Sequence, residues 1–182
     1  MMKTLLTTGA ALAIVLLVTS AAAAPELQTV NKVDARKYMG RWHEIASIPA
    51  WFQKDCAYGT TADYTLRPDG DVEVRNQCYT AAGEVKAAKA RAWVVDPKTN
   101  ARLKVSFLPF GLKFFGGDYW IIDLGPDYEY AVVGEPSRQY GWILARATEL
   151  PRETLDGIKQ RLQAQGYDPA ALVMTKQKPD GK

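Results

Sequence analysis

The sequence predicts an all-β protein, an antiparallel barrel or sandwich of eight strands with one C-terminal α-helix packed outside. Three observations carry this reading. Eight short runs rich in β-branched and aromatic residues follow one another, clusters of Pro, Gly, Asn and Asp separate them, and a single late segment has helical periodicity.

The chain opens with an address. Lys3 precedes an apolar run from Leu5 to Val18, and Ser20-Ala21-Ala22-Ala23-Ala24 offers small residues for cleavage, the pattern of a secretory signal peptide. The run is short for the roughly 20 apolar residues a bilayer span needs. Residues 1–24 are therefore assigned to a leader and residues 25–182 to one domain, long enough to bury roughly two-thirds of its unfolded surface.

The strands are expected at Trp42 to Ile48, Gly59 to Leu66, Val72 to Tyr79, Ala87 to Val95, Ala101 to Leu108, Asp118 to Leu124, Tyr130 to Gly134 and Gly141 to Ala147. Arg67-Pro68-Asp69-Gly70, Asp96-Pro97-Lys98-Thr99-Asn100 and Gly125-Pro126-Asp127 supply turn chemistry, with Pro presetting φ and Gly or Asn tolerating positive φ. A helix is expected from Pro151 to Gln165, where Leu155, Ile158 and Leu162 form one stripe and Gly166 marks the stop. Leu172 to Thr175 reads as one further edge strand.

Alternation tells what the strands enclose. Val72, Val74, Asn76 and Cys78 share one face of the third run, against Glu73, Arg75 and Gln77 on the other. The fourth run presents Ala88, Ala90, Ala92 and Val94 inward. Such small residues suit either an internal cavity or close contact with a bulky neighbour.

Charge excludes some partners. There are 23 Lys and Arg against 20 Asp and Glu, for a net charge of +3, with both signs interspersed. That is no basic face for nucleic acid. Cys56 and Cys78 are the only cysteines, and in an exported chain a lone pair is expected to be oxidised to a disulfide. Simple pairing across the intervening turn leaves Cys56 out of register with Cys78, so the chain must bend near Cys56. With the single His43 the two cysteines cannot complete a four-ligand metal set without carboxylates. No metal and no cofactor is expected.

The segment Phe107 to Gly117 is anomalous for a surface loop, since it carries four Phe, at 107, 110, 114 and 115. It needs an apolar partner: a ligand at the barrel mouth, a membrane surface, a second copy in a homodimer, or the barrel interior as a plug. Ala50-Trp51-Phe52 falls at the same end. Candidate mouth and wall residues are Trp51, Phe52, Tyr58, Tyr64, Phe107, Phe110, Phe114, Phe115 and Tyr119. Arg91 and Lys113 are candidates to meet an anionic head group.

Gly40-Arg41-Trp42-His43-Glu44-Ile45, Gly117-Asp118-Tyr119 and Arg146 occur in an order that resembles the lipocalin family. Val94-Val95-Asp96-Pro97, Leu103-Lys104-Val105-Ser106-Phe107, Gly134-Glu135-Pro136 and Trp142-Ile143-Leu144 narrow the likeness to the bacterial outer-membrane lipocalin (Blc) group, whose relatives include apolipoprotein D. The resemblance implies that Arg146 lies across Trp42 at a shut end, and that Gly40, Trp42, Asp118, Tyr119 and Arg146 form a structural signature. It also implies that the eight strands close into an eight-stranded antiparallel up-and-down β-barrel, and that the protein is a lipid carrier of the bacterial envelope for fatty acids, lysophospholipids or similar ligands. Two departures stand out. No cysteine follows the leader, so an exported protein of the periplasm or outer-membrane periphery, without a lipid anchor, is expected, and His43 stands where the group commonly has Tyr.

Catalytic constellations are missing from the sequence: there is no Gly-x-Ser-x-Gly elbow, phosphate-cradling loop or His-Glu-x-x-His helix. The expectation is a binding protein and not an enzyme. An enzyme acting on an apolar substrate inside the barrel and a structural envelope protein with a plugged barrel are the alternatives.

Overall fold

The computed structural model describes residues 25–108 and 113–178, so the expected leader lies outside the described residues. The strands are β1 Gly40–Ser47, β2 Tyr58–Leu66, β3 Val72–Tyr79, β4 Val85–Val94, β5 Arg102–Ser106, β6 Gly117–Leu124, β7 Tyr130–Gly134, β8 Gly141–Ala145 and β9 Val173–Met174. Helices α1 (Ala35–Tyr38) and α2 (Arg152–Ala164) complete the set, with short 3₁₀ turns at Trp51–Gln53, Lys113–Phe115 and Pro169–Ala171. Each of β1 to β8 pairs antiparallel with its sequence neighbours, and β1 pairs with both β2 and β8, which closes the barrel. The added β9 pairs with β1.

Two apolar layers result. Inside, Trp42, Tyr38, Tyr64, Val74, Leu103, Ile121 and Leu144 pack together. Outside, Ile158 and Leu162 of α2 lie on Ile45, Ile122, Val132 and Ile143 of the barrel wall. Strand alternation separates the layers, since Trp42 faces in and Ile45 faces out. A bulge between Glu44 and Ala46 interrupts β1, so that Ala46 joins Ile45 in the outer layer.

One end is shut. The Asp34 carboxylate caps α1 by accepting from the N–H groups of Arg36 and Lys37. Gly40 enters β1 at φ +92°, a conformation that favours glycine. Trp42 is fully buried and donates from Nε1 to the Tyr38 carbonyl at 2.9 Å. The Arg146 guanidinium lies 3.8 Å from the Trp42 ring centroid and donates to the carbonyls of Arg41, Lys37 and Met39. It thereby clamps β1 to the turn before it.

The other end is open and uneven. β4 pairs with β3 along its whole length, but β5 covers only Arg91 to Val94. The β3–β4 hairpin therefore projects past β5. Cys56 and Cys78 are joined, with Cα atoms 5.5 Å apart. The bend that the sequence required is a register shift between Tyr58 and Thr61, with Gly59 at φ +62°.

Boundaries differ from expectation by a few residues. β1 begins at Gly40, because the Arg41 and Trp42 positions already pair with β2, and β4 begins at Val85, opposite Tyr79. β5 and β8 are shorter than expected and end at Ser106 and Ala145. Pro151 caps α2 from outside its first turn. The four-residue α1 has too little apolar periodicity to announce itself as a helix.

Candidate functional site

The barrel encloses a cavity of about 1180 Å³ that opens at the mouth. This exceeds the roughly 300–1,000 Å³ of ordinary small-molecule pockets. Its walls come from inward positions of successive strands: Val72 and Val74 of β3, Ala88, Ala92 and Val94 of β4, Leu103 and Val105 of β5, Ile121 of β6, Val133 of β7 and Leu144 of β8. The alanines of β4 leave room that larger side chains would fill.

At depth three tyrosines converge. The Tyr119 hydroxyl is 2.9 Å from that of Tyr38 and 2.9 Å from that of Tyr64. Burial pushes Tyr64 up to about 12, and burial with the neighbouring phenols pushes Tyr38 and Tyr119 well above the ordinary tyrosine value. All three stay neutral across physiological pH, so the cluster offers hydroxyl dipoles and no charge. Higher in the wall, Asn76 Oδ1 is buried with no hydrogen-bond partner among the described residues. An unmet acceptor of this kind is costly unless water or a ligand donor fills it.

At the mouth, the turn Trp51–Gln53 brings Trp51 and Phe52 beside Tyr140 and Trp142. Phe52 lies 5.6 Å from Tyr140 and 6.4 Å from Trp142, centroid to centroid. Phe107, Leu108 and Phe115 form the opposite rim. Trp51 and Phe115 are 76% and 77% exposed, more than large apolar side chains usually are in water.

Of the residues singled out in the sequence, Trp51, Phe52, Tyr64, Phe107, Phe115 and Tyr119 line this cavity, together with Asp118, whose carboxylate accepts from Lys104 at 3.1 Å. Phe110 and the side chain of Phe114 lie outside the described residues. Tyr58 and Arg91 do not line the cavity. Tyr58 stacks on Tyr79 at 5.1 Å. Arg91 follows the outward parity of β4 and pairs with Asp71 and Asp69, while Lys113 pairs with Asp71. The acidic turn between β2 and β3 thus occupies both cations. Sequence reasoning missed Tyr38, Glu44, Gln53, Tyr140 and Trp142 in the lining, whereas Asn76 had been placed on the same strand face as Val72 and Val74. For Glu44 a signal existed, since it shares the inward parity of Trp42. Both cysteines are in the disulfide, which leaves no free thiol for chemistry.

A closed antiparallel barrel with one clamped end, one aromatic-rimmed opening and an apolar interior defines a container for a small apolar molecule. A lipocalin-like domain model matches residues 33–177, and the chain belongs to the lipocalin family. Temperature-induced lipocalin-1 of Arabidopsis thaliana is 39% identical over 156 residues, covering 84% of this chain and 83% of that protein. Outer membrane lipoprotein Blc of Escherichia coli K12 is 36% identical over 153 residues, 81% of each chain. Among solved structures, insecticyanin of Manduca sexta superposes with a TM-score of 0.66 at 18% identity, covering 85% of this chain and 86% of its own, a likeness of fold.

Proposed function

We propose that this protein carries or stores a single-chain lipid, of the fatty acid or lysophospholipid class, with the chain in the barrel and the head at the mouth. The observation that carries the reading is the cavity itself: about 1180 Å³, apolar along its walls and open at one end. Transfer of each methylene from water into such a wall contributes about 0.8 kcal/mol, so a long chain is held without any directional contact. The tyrosine hydroxyls and Asn76 hold water or a polar group in place and so tune how deep the chain sits.

The setting we propose is the bacterial envelope. The leader-like residues 1–24, the disulfide and the likeness to a protein named as an outer membrane lipoprotein support export to the periplasm. The exposed rim of Trp51, Phe52, Phe107 and Phe115 suits a lipid surface from which a chain is collected. The protein acts by containment and not by catalysis: His43 does not line the cavity, and the thiols are used.

The test is to fill the cavity. Ala92→Phe and Ala88→Trp both place a large ring in the lining. A fluorescent fatty acid should bind the unmodified protein at one site per chain, and each variant should lose about tenfold or more in affinity while retaining its far-ultraviolet circular dichroism. Unchanged affinity in both folded variants would place the ligand elsewhere.

A further inference from the structure

Within the class of single-chain lipids, the charges at the mouth rank head groups and favour a cationic head over a bare carboxylate. Among the charged residues lining the cavity, Glu44, Asp55, Asp118 and Glu135 are acidic and Lys86 is basic. Asp55 pairs with Lys86, and Asp118 with Lys104. Glu44 and Glu135 take part in none of the ion pairs among the described residues.

Glu44 is buried, at 5% exposure. Its carboxylate accepts from Ser47 Oγ at 3.0 Å, Thr175 Oγ1 at 2.6 Å and Gln53 Nε2 at 2.8 Å. The Glu135 carboxylate accepts from the N–H groups of Ser137, Gln139 and Tyr140 and from Ser137 Oγ. Every one of these donors is neutral. They give four hydrogen bonds to Glu135 and three to Glu44, against about four acceptor positions on each carboxylate, and bring no positive charge.

The two carboxylates meet one aromatic cluster. Gln53, which donates to Glu44, accepts from Trp142 Nε1 at 3.0 Å, and Glu135 takes the Tyr140 N–H directly. Tyr140 and Trp142 stack at 6.1 Å with 12° between planes, and Phe52 leans against both. Aromatic faces carry negative electrostatic potential, so rings and carboxylates favour the same guest, a cation. An anion there meets two carboxylates in no ion pair, while Lys86 in the lining is paired with Asp55, and Arg91 and Lys113 lie outside the lining, paired with Asp69 and Asp71.

We propose that Phe52, Tyr140 and Trp142, flanked by Glu44 and Glu135, form a subsite for the quaternary ammonium head of a single-chain lipid. The carboxylates have little acceptor capacity left, so charge without hydrogen-bond donors is what they can still satisfy, and a trimethylammonium group has that chemistry. The subsite rests on the reading of the cavity as a container for an apolar chain.

The experiment is a titration of the disulfide-bonded protein, followed by tryptophan fluorescence and calorimetry, with decyltrimethylammonium, decanol and decanoate below their micelle concentrations. Decyltrimethylammonium should bind about tenfold more tightly than decanoate and more tightly than decanol, a ratio within reach of a cation over desolvated rings. Glu44→Gln, Glu135→Gln and the half-exposed Phe52→Leu should each lower the ammonium-to-decanol affinity ratio severalfold. If Glu44→Gln fails to fold, the other two variants decide. Binding of decanol and decanoate with no preference for the ammonium, or a ratio unmoved in Phe52→Leu and Glu135→Gln, overturns the subsite and leaves the container standing. Failure of all three probes to bind overturns both.

Discussion

Arg146→Ala should lower stability without weakening the affinity of the folded protein. The guanidinium gives three hydrogen bonds to carbonyls, at 2.7 Å to Arg41, 2.7 Å to Lys37 and 2.9 Å to Met39, and its carbon lies 3.8 Å from the Trp42 centroid. Because the group is partly exposed, water recovers some of each bond, and a net value of about 0.7 kcal/mol apiece is appropriate. Adding about 0.5–1 kcal/mol for the ring contact gives a loss of about 3 kcal/mol. With a urea slope of about 2 kcal/mol per molar, the unfolding midpoint should fall by about 1.5 M. Arg146→Lys should recover only part of this, since one ammonium cannot reach three carbonyls in the same planar fork. Neither Arg146 nor Trp42 lines the cavity, so affinity for a fluorescent fatty acid, measured without urea, should stay within about twofold. An unmoved midpoint, or a folded variant that has lost binding, would refute the clamp.

Further outcomes follow from other parts of the molecule. Replacing both Cys56 and Cys78 with Ser should cost about 3 kcal/mol in urea unfolding, the chain-entropy value for a loop of this size. In alkaline titration followed at 295 nm, Tyr38, Tyr64 and Tyr119 should stay protonated past the ordinary tyrosine value of about 10. Their raised values mean that the folded state holds these protons longer than the unfolded one, so stability is full below pH 10 and declines between there and about 12. Burial, with Arg41 nearby, lowers His43, so the unfolded chain takes up its proton first. The melting temperature should therefore drop as pH falls from 7.5 through 6.5 toward 5.5, and His43→Phe should flatten that drop. Trp51→Ser with Phe115→Ser should weaken vesicle association at unchanged melting temperature. If the pair instead forms a contact between copies, the variant will change oligomer size in sedimentation and leave vesicle association intact.

The strands were legible because their turns are chemically explicit, and the ordered signature from Gly40 to Arg146 pointed to their closure into a barrel. Pro68-Asp69-Gly70 and Pro126-Asp127 punctuate strands whose alternation is clean, as in Val72, Val74, Asn76 and Cys78. The disulfide followed from number and compartment, and its register problem was resolved by the Gly59 bend. The cavity was half legible: Ala88, Ala92 and Val94 announced a thin wall, but the same residues would also accept a bulky neighbour. What periodicity could not supply was convergence. Tyr38 lies 81 residues from Tyr119, and only strand stagger brings their hydroxyls to 2.9 Å. Glu44 was hidden by its company, since a charged residue beside His43 reads as solvated until Ser47, Gln53 and Thr175, from three separate segments, are seen to surround it. Arg91 misled in the opposite sense, because the pull of Asp69 and Asp71 depends on where the turn folds back.

As a container, the barrel should hold one apolar chain. Native mass spectrometry of the exported, disulfide-bonded protein tests it most directly, before delipidation, after it, and after re-addition of a single-chain lipid. A container should show an added mass of one lipid per chain that organic extraction removes and re-addition restores, and that Ala92→Phe abolishes. A protein that runs at its bare mass throughout, with the cavity-filled variant indistinguishable from the original, would contradict it.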